Sequence, residues 1–265
     1  MLPTRLRASV RFMLRQDSGP IQVQSAPMNT SAATATITPE ATSFTRFEEA
    51  FPLKGSAIYE LLFTRHGDSI KTKKASVAVV NLEKIFQATF SISSRIGFHE
   101  MSLRQLSTET GISMGGIYSC IGSKDDLAVM VKDVVHVVTD ELVESALGNP
   151  DVENALEELV RRTLYASHIL QPWFFFLYFE TRCLPAAHQA DSKEIELRHV
   201  RTYQTLIERG IESGAYKPVD AGFLADTTLV MQQDWYCKPW KHEHGPAAVE
   251  AYAARILTLI HQLLR

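Results

Sequence analysis

Apolar residues recur at the three- and four-residue spacing of amphipathic helices from Asn81 to the C-terminus. The alternation of apolar and polar residues that marks a half-buried strand does not occur along this part of the sequence. Segments of this kind bury their apolar faces by packing helix against helix. The sequence therefore predicts an all-α protein.

Residues that end or begin helices divide this region into segments. Gly97 and Gly111 are suited to end helices, and Ser102 and Ser113 are suited to begin the helices that follow. A capping box precedes a longer helix, which is predicted over residues 124–147. Further helices are predicted at about residues 151–169, 172–183, 192–213, 219–236 and 246–264.

The first 74 residues have a different character. Residues 18–45 are rich in Ser, Thr, Ala and Pro and have no sustained period, which is typical of disordered chain or linker. A short helix between Phe47 and Phe63 is compatible with the pattern, although Pro52 and Gly55 weaken it. We predict a disordered or weakly structured N-terminal extension over residues 1–74.

The beginning of the chain has two interpretations. Four arginines within residues 5–15 imitate a transit peptide, but the apolar core of a secretory signal is missing. A start of the mature protein at Met28 explains residues 1–27 equally well.

Composition excludes several classes of protein. The formal net charge of −3 means that any contact with nucleic acid must come from a local patch. Cys120, Cys183 and Cys237 are odd in number and far apart, which favours a reducing cytoplasm over a disulfide framework. The sequence contains no glycine-rich phosphate loop, nucleophile elbow or carboxylate pair, so no catalytic residue or cofactor is predicted.

Two short helices around a glycine turn are the strongest local signal. The stretch from Ser102 to Cys120 has the layout of a helix-turn-helix, with Gly111, Ile112 and Ser113 in the turn. The residues spaced to pack the two helices inward are Leu103, Leu106, Ile112 and Ile117. The residues left outward are Ser113, Met114, Gly116 and Ser119. Because most of these are small, the second helix can approach something large, such as a DNA major groove.

This stretch lies within the segment "IFQATFSISSRIGFHEMSLRQLSTETGISMGGIYSCIGSKDDL", residues 85–127, which resembles the DNA-binding domain of the TetR (tetracycline-repressor) family of transcriptional regulators. The resemblance implies a three-helix helix-turn-helix domain over residues 75–127. It also implies a larger helical domain over residues 128–265 for effector binding and dimerisation. The expected function is that of a homodimeric, sequence-specific regulator, a repressor that a small effector releases from its double-stranded DNA operator.

The resemblance assigns roles to single residues. It makes Tyr118 and Lys124 phosphate contacts and places Ser102, the N-cap, against the DNA backbone. Donors and helix N-termini suit such roles because they hold phosphates, whereas side chains in the groove distinguish bases. The sequence departs from the family pattern after Tyr118, with Ser119, Cys120 and Ile121 where the family usually has an aromatic residue or histidine and then Phe.

The basic residues that precede the domain have two possible roles. Arg65, Lys71, Lys73 and Lys74 could form an arm that reaches phosphates or a minor groove. A solvated basic linker explains them equally well.

The stretch "PWFFFLYFETRC" is too aromatic on every side for a surface helix. Families of this type hold an effector in the helical C-terminal domain, so the resemblance makes these aromatic residues candidates for a pocket. The predicted pocket residues are Trp173, Phe176, Tyr178, Cys183 and Trp235. They favour an apolar effector, for which acyl and aromatic compounds are candidates. The alternative function is that of a helical enzyme or cofactor-binding protein with an aromatic pocket and no DNA role.

Two further patterns concern partners. The last two helices carry apolar stripes that could form a dimer face or could pack into their own core. The stripe residues are Val249, Tyr252, Ala253, Ile256, Ile260, Leu263 and Leu264, together with Leu224, Thr227, Met231 and Trp235. Cys237, His242 and His244 could bind a metal by identity, but their spacing matches no recognised site, so no metal is predicted.

Overall fold

The computed structural model describes residues 43–265, and within that range the chain forms α-helices and no strand. The all-α prediction is therefore confirmed, and the segments predicted before residue 43 lie outside the described residues. The helices are α1 (Phe44–Ala50), α2 (Ser56–Arg65), α3 (Ala75–Ile96), α4 (Leu103–Thr110), α5 (Met114–Cys120), α6 (Lys124–Leu147), α7 (Val152–Ile169), α8 (Gln171–Glu180), α9 (Ala186–Glu212), α10 (Ala221–Cys237) and α11 (Pro246–Leu264).

Most helix ends lie where the capping residues predict them, but α9 begins earlier than expected. It begins at Ala186 after Pro185, six residues before the predicted start at Ser192. The extra turns contain Ala, His, Gln and Asp, and these residues provide no apolar period to detect. Likewise α3 begins at Ala75, ahead of the apolar pattern that starts near Asn81.

The prediction of a weakly structured extension is wrong for residues 43–74. Phe44 and Phe47 of α1 are buried, with ring centroids 5.4 and 5.7 Å from that of Tyr165 on α7. The amide of Phe44 donates to Glu250 Oε1 on α11 at 2.6 Å. These partners are more than a hundred residues away, so the local sequence gives no sign of them.

Helix α2 packs mainly against α3. Tyr59 is buried between Phe86 of α3 and Trp173 of α8, at centroid distances of 6.3 and 6.2 Å. Burial raises the pKa of the Tyr59 phenol to about 12. After α2, His66 Nε2 lies 3.0 Å from Asp133 Oδ2 on α6. The segment from α1 to α2 thus contacts both the C-terminal helices and the helices next to the helix-turn-helix.

Helix α6 occupies the centre of the fold. Its 24 residues run from the end of the helix-turn-helix into the C-terminal helices, and its apolar side is buried along the whole length. It packs against α7, α8 and α9. Among residues 43–265 no helix combines the length and the apolar character that crossing a bilayer requires.

Phe44→Ala tests whether α1 belongs to the core. The Phe44 side chain is only 2% exposed, so we expect its loss to lower the free energy of unfolding by about 3 to 5 kcal/mol in denaturant titrations. The neighbouring Thr45 is exposed, and Thr45→Ala serves as the control with a change of about 0.5 kcal/mol or less. A loss below about 1 kcal/mol for Phe44→Ala would show that α1 is dispensable.

Candidate DNA-binding and effector sites

The turn between α4 and α5 is held by side chains of the turn itself. Gly111 adopts the left-handed conformation, with φ of 69° and ψ of 7°, which ends α4. Ser107 Oγ donates to the Ile112 carbonyl at 2.6 Å, and the Ile112 amide donates to Thr110 Oγ1 at 3.2 Å. Ser113 then caps α5 by accepting from the Gly116 amide. The geometry is that of a tight helix-turn-helix.

Ser102 has the capping role that the sequence predicts. Its hydroxyl accepts from the Gln105 amide at 3.3 Å, and the Ser102 amide donates to Gln105 Oε1 at 2.8 Å. This capping box fixes the start of α4 and leaves Ser102 exposed.

Gly115, and not Gly116, keeps the outer face of α5 open. A Cβ on Gly115 would meet nothing within 4 Å, whereas one on Gly116 would lie 2.6 Å from Ile112 Cγ2. Gly116 therefore allows α5 to pack against the turn, which corrects its predicted outward position. The two glycines are adjacent in sequence, so a small error in helical phase exchanges their roles.

The remaining residues of α5 are placed largely as predicted. Ser113 and Tyr118 are exposed, with Tyr118 at 45%, and Met114 is half-buried. Ser119 is also half-buried because its hydroxyl donates to the Gly116 carbonyl at 2.8 Å and accepts from Thr72 Oγ1 at 2.9 Å. Gly115 and Tyr118 thus bound the accessible surface of this helix.

The chain before α3 is attached to the end of α5. The amides of Lys71 and Thr72 both donate to the Ser119 carbonyl, at 2.9 and 3.0 Å. Lys71 and Lys74 are exposed beside it, while Lys73 Nζ donates to the Ile70 carbonyl at 3.2 Å. The chain at Lys71 and Thr72 is therefore fixed to the end of α5 and is not a free linker.

Lys124 points inward, contrary to its expected role as a phosphate contact. Its ammonium group donates to three backbone carbonyls just after α3, those of Phe98, His99 and Met101, at 2.9, 2.7 and 3.0 Å. The same group lies 4.9 Å from the centroid of the Phe98 ring. All three of its N–H donors are used within the protein. The side chain joins the start of α6 to the end of α3.

A cavity of about 480 Å³ lies among α6, α7, α8, α9 and α10. Its size falls in the range of pockets that hold small molecules. The lining residues are Val135, Thr139, Thr163, Phe174, Leu177, Tyr178, Thr181, Ser192, Lys193, Ile195, Glu196, His199, Leu229, Gln232, Gln233 and Tyr236. Of the five predicted pocket residues only Tyr178 is among them.

Solved structures with the same arrangement of helices are transcriptional regulators. PfmR of the TetR family from Thermus thermophilus shares 20% identity and a TM-score of 0.61, over 68% of this chain and 98% of PfmR. A tetR-family regulatory protein from Rhodococcus shares 19% identity and a TM-score of 0.61, over 69% of this chain and 96% of that protein. AibR, solved with isovaleryl coenzyme A and operator DNA, shares 16% identity and a TM-score of 0.57, over 68% and 97% of the two chains.

This chain has the TetR fold. The likeness is one of structure, since no family model matches the sequence and no curated protein matches it either.

In this TetR fold, Trp173 and Phe176 lie at the junction with the helix-turn-helix domain and not in the cavity. The Trp173 ring stacks on Phe86 at 4.9 Å, and Phe176 meets Phe98 edge-on at 4.9 Å. The cavity lies against the other side of α8, where it is lined by residues such as Phe174. Six of the ten residues of α8 are aromatic, so the sequence does not show which side of the helix faces which partner.

The other two predicted pocket residues also lie outside the cavity lining. Cys183 is half-buried, and its thiol donates to Glu180 Oε2 at 3.4 Å. Trp235 stacks on His242 at 4.9 Å and contacts Tyr252 at 5.1 Å, so it belongs to the packing of α10 and α11. The neighbouring Tyr236 lines the cavity in its place.

Sequence reasoning missed the polar part of the cavity. Thr163, Ser192, His199, Gln232 and Gln233 lie on the inner sides of α7, α9 and α10. Each is a polar residue on a helix, and the apolar residues of that helix already account for the packing of the helix. Local pattern therefore gives no reason to single them out.

The stripe on α11 packs mostly into its own protomer. Five of its seven residues are buried in the described structure: Val249, Ala253, Ile256, Ile260 and Leu264. The exposed apolar side chains on the last two helices are Leu263 of the stripe, at 45%, and three residues outside it: Phe223 at 70%, Val230 at 61% and Leu259 at 44%.

His242 contacts the carboxylate of Asp234. Its Nε2 lies 3.2 Å from Asp234 Oδ2, a carboxylate that also accepts from Lys238 and Lys241. In residues 43–265 no three side chains of His, Cys, Asp or Glu are grouped so that they could hold a metal ion.

Lys124→Ala distinguishes a structural from a DNA-contacting lysine. Loss of its three charge-assisted hydrogen bonds is expected to lower the free energy of unfolding by about 2 kcal/mol and to leave the salt dependence of DNA binding unchanged. The exposed Lys84 of α3 provides the control, and Lys84→Ala should change stability by about 0.5 kcal/mol or less. Unchanged stability with a salt slope lower by about one would instead make Lys124 a phosphate contact.

Proposed function

We propose that this protein is a homodimeric, sequence-specific DNA-binding regulator in the cytoplasm. It would repress transcription by binding an operator, and a small-molecule effector would release it from that DNA. The observation that carries the proposal is the open face of α5. A capped helix-turn-helix presents a short helix with Gly115 in its first turn, where an added Cβ would meet nothing within 4 Å. A major groove can receive such a helix because nothing on that face prevents close approach.

The proposed DNA contacts follow from what the exposed groups can donate. The Tyr118 hydroxyl and the N-terminus of α4 at Ser102 are suited to phosphates, and the exposed Lys71 and Lys74 add charge beside them. Met114 can contact a thymine methyl group, and Ser113 can bond to several bases. Since few groups distinguish bases directly, part of the specificity would come from DNA shape.

The cavity supports the effector part of the proposal. The solved AibR structure contains both isovaleryl coenzyme A and operator DNA. In the present chain Phe174 and Tyr178 of α8 line the cavity, while Trp173 and Phe176 of the same helix pack on α3 and on Phe98. A ligand that shifts α8 would therefore move the helix-turn-helix domain. Couplings of this kind are typically about 1 to 3 kcal/mol, which is roughly 5- to 150-fold in affinity.

The exposed apolar residues of α10 and α11 support a dimer. Phe223 and Val230 are seven residues apart on one side of α10, and Leu259 and Leu263 are four apart on α11. Two copies joined through these helices would form a four-helix bundle. Two α5 helices could then enter successive major grooves about 34 to 36 Å apart.

Gly115→Glu tests the DNA face. The side chain has room in the free protein, so the variant should fold normally but bind selected DNA at least roughly tenfold more weakly, because bulk and negative charge would face the groove. Ala190→Glu makes the same charge change at an exposed position of α9 and should bind as the parent does. The DNA would be selected from random sequences by the unmodified protein. Equal affinity of both variants for that DNA would contradict the proposed face.

Val230→Glu tests the dimer. A charge on the exposed side of α10 is expected to shift the protein to monomer in sedimentation velocity at micromolar concentration and to weaken DNA binding with it. Trp240→Glu changes a residue that is 74% exposed but lies after α10, and it should leave both mass and DNA affinity unchanged. A Val230→Glu protein that remains dimeric, or a parent protein that is monomeric, would contradict the assembly.

A further inference from the structure

The buried polar residues that line the cavity are uncharged. Thr163 Oγ1 and His199 Nε2 are 3.1 Å apart, and His199 is only 3% exposed. Burial lowers the pKa of His199 to about 4, so its imidazole is neutral at cellular pH. The charged residues of the lining, Lys193 and Glu196, are both exposed.

Most of the inner polar groups already have partners in the protein. Gln232 Oε1 accepts from the Tyr203 hydroxyl at 2.9 Å, and Gln232 Nε2 donates to the Val160 carbonyl at 2.9 Å. Gln233 Nε2 donates to Glu196 Oε1 at 2.8 Å, so the Glu196 carboxylate also has a partner. These groups are therefore not free to bind a ligand strongly.

Ser192 is the exception. It is 8% exposed, and its Oγ is buried with no hydrogen-bond partner in the described structure. A buried hydroxyl without a partner is costly, and native proteins usually satisfy such groups. Ser192 lies two helical turns before His199 on the same side of α9, and both residues line the cavity. The hydroxyl is thus a buried group without a partner, beside a cavity where the side-chain amide nitrogens of Gln232 and Gln233 are already bonded.

We infer that the part of the effector inside this cavity is an uncharged apolar chain or ring bearing a carbonyl oxygen, as in an ester, thioester or ketone, which accepts a hydrogen bond from Ser192. The inference rests on the proposed role of the cavity as the effector site. A free carboxylate is disfavoured inside because Lys193, the cation of the lining, is exposed, and a buried charge without a partner is strongly unfavourable. Val135, Phe174, Leu177, Ile195 and Leu229 provide the apolar walls for the chain or ring.

Calorimetric titration of the full-length protein with three probes of equal acyl length tests the inference. Methyl octanoate should bind at one site per chain, and octanoate at least roughly tenfold more weakly. Octanoyl-coenzyme A separates two sources of the same carbonyl: binding tighter than that of the methyl ester indicates a carrier-bound thioester, and weaker binding indicates a free neutral compound. Octanoate binding as tightly as the ester, or no binding by either the ester or the thioester, would overturn the inference.

Two variants connect the binding to Ser192. Ser192→Ala should weaken methyl octanoate binding roughly three- to tenfold and should not lower thermal stability, because the lost hydroxyl has no partner in the free protein. Ser213→Ala, at the far end of α9 and outside the cavity lining, is the control with unchanged binding. Unchanged affinity in Ser192→Ala would also overturn the inference.

The DNA experiment is separate from these titrations. If the ester binds as expected but no DNA is selected, the proposed regulatory function fails and the cavity chemistry stands. If DNA is bound but the carboxylate is the better ligand, the function stands and the cavity chemistry fails.

Discussion

The stack of Trp173 on Phe86 joins the two halves of the proposed mechanism. Trp173 belongs to α8, whose opposite side lines the cavity, and Phe86 lies in the middle of α3, the first helix of the helix-turn-helix domain. Both side chains are buried, and Phe90 meets the same indole edge-on at 5.0 Å. Close-packed aromatic contacts resist compression, so a displacement of α8 must be followed by its partners. One helix is thereby a wall of the cavity and the support of the DNA-binding domain.

Polar contacts fix the orientation at this junction. The Phe98 amide donates to Glu180 Oε1 at the end of α8 at 3.2 Å, and the Phe98 carbonyl accepts from Lys124 at the start of α6 at 2.9 Å. Phe98 therefore connects both α8 and α6 to the end of α3. The N-terminal segment adds a second connection, because Tyr59 packs beside Trp173 and the chain from Lys71 is bonded to Ser119 at the end of α5. These contacts fix the position of α5 relative to the cavity.

The sequence predicts those features whose signals are local. Caps such as Ser102 and the left-handed Gly111 act within a few residues, so the helix-turn-helix and most helix boundaries can be derived from the chain itself. Lys124 bonds to Phe98, which lies 26 residues earlier, and Phe44 contacts Tyr165 on α7, so neither contact can be derived from the local sequence. Most of the predicted cavity residues lie elsewhere for a related reason. Helix α8 is aromatic on all sides, and only its packing partners decide which rings line the cavity and which are core. The pattern of residues indicates helix, turn and exposed surface, whereas the choice between two buried sides requires the packed structure.

Hydrogen exchange of the protein with and without its selected DNA tests the coupling through α8 most directly. DNA bound to the helix-turn-helix should restrict the junction, and amides of α8, residues 171–180, should exchange more slowly although the proposed DNA contacts lie elsewhere. The same measurement should show slower exchange in α4 and α5, which confirms that the domain is occupied. Slower exchange in α4 and α5 with no change in α8 would contradict the account, since the cavity wall would then be independent of the DNA-binding domain.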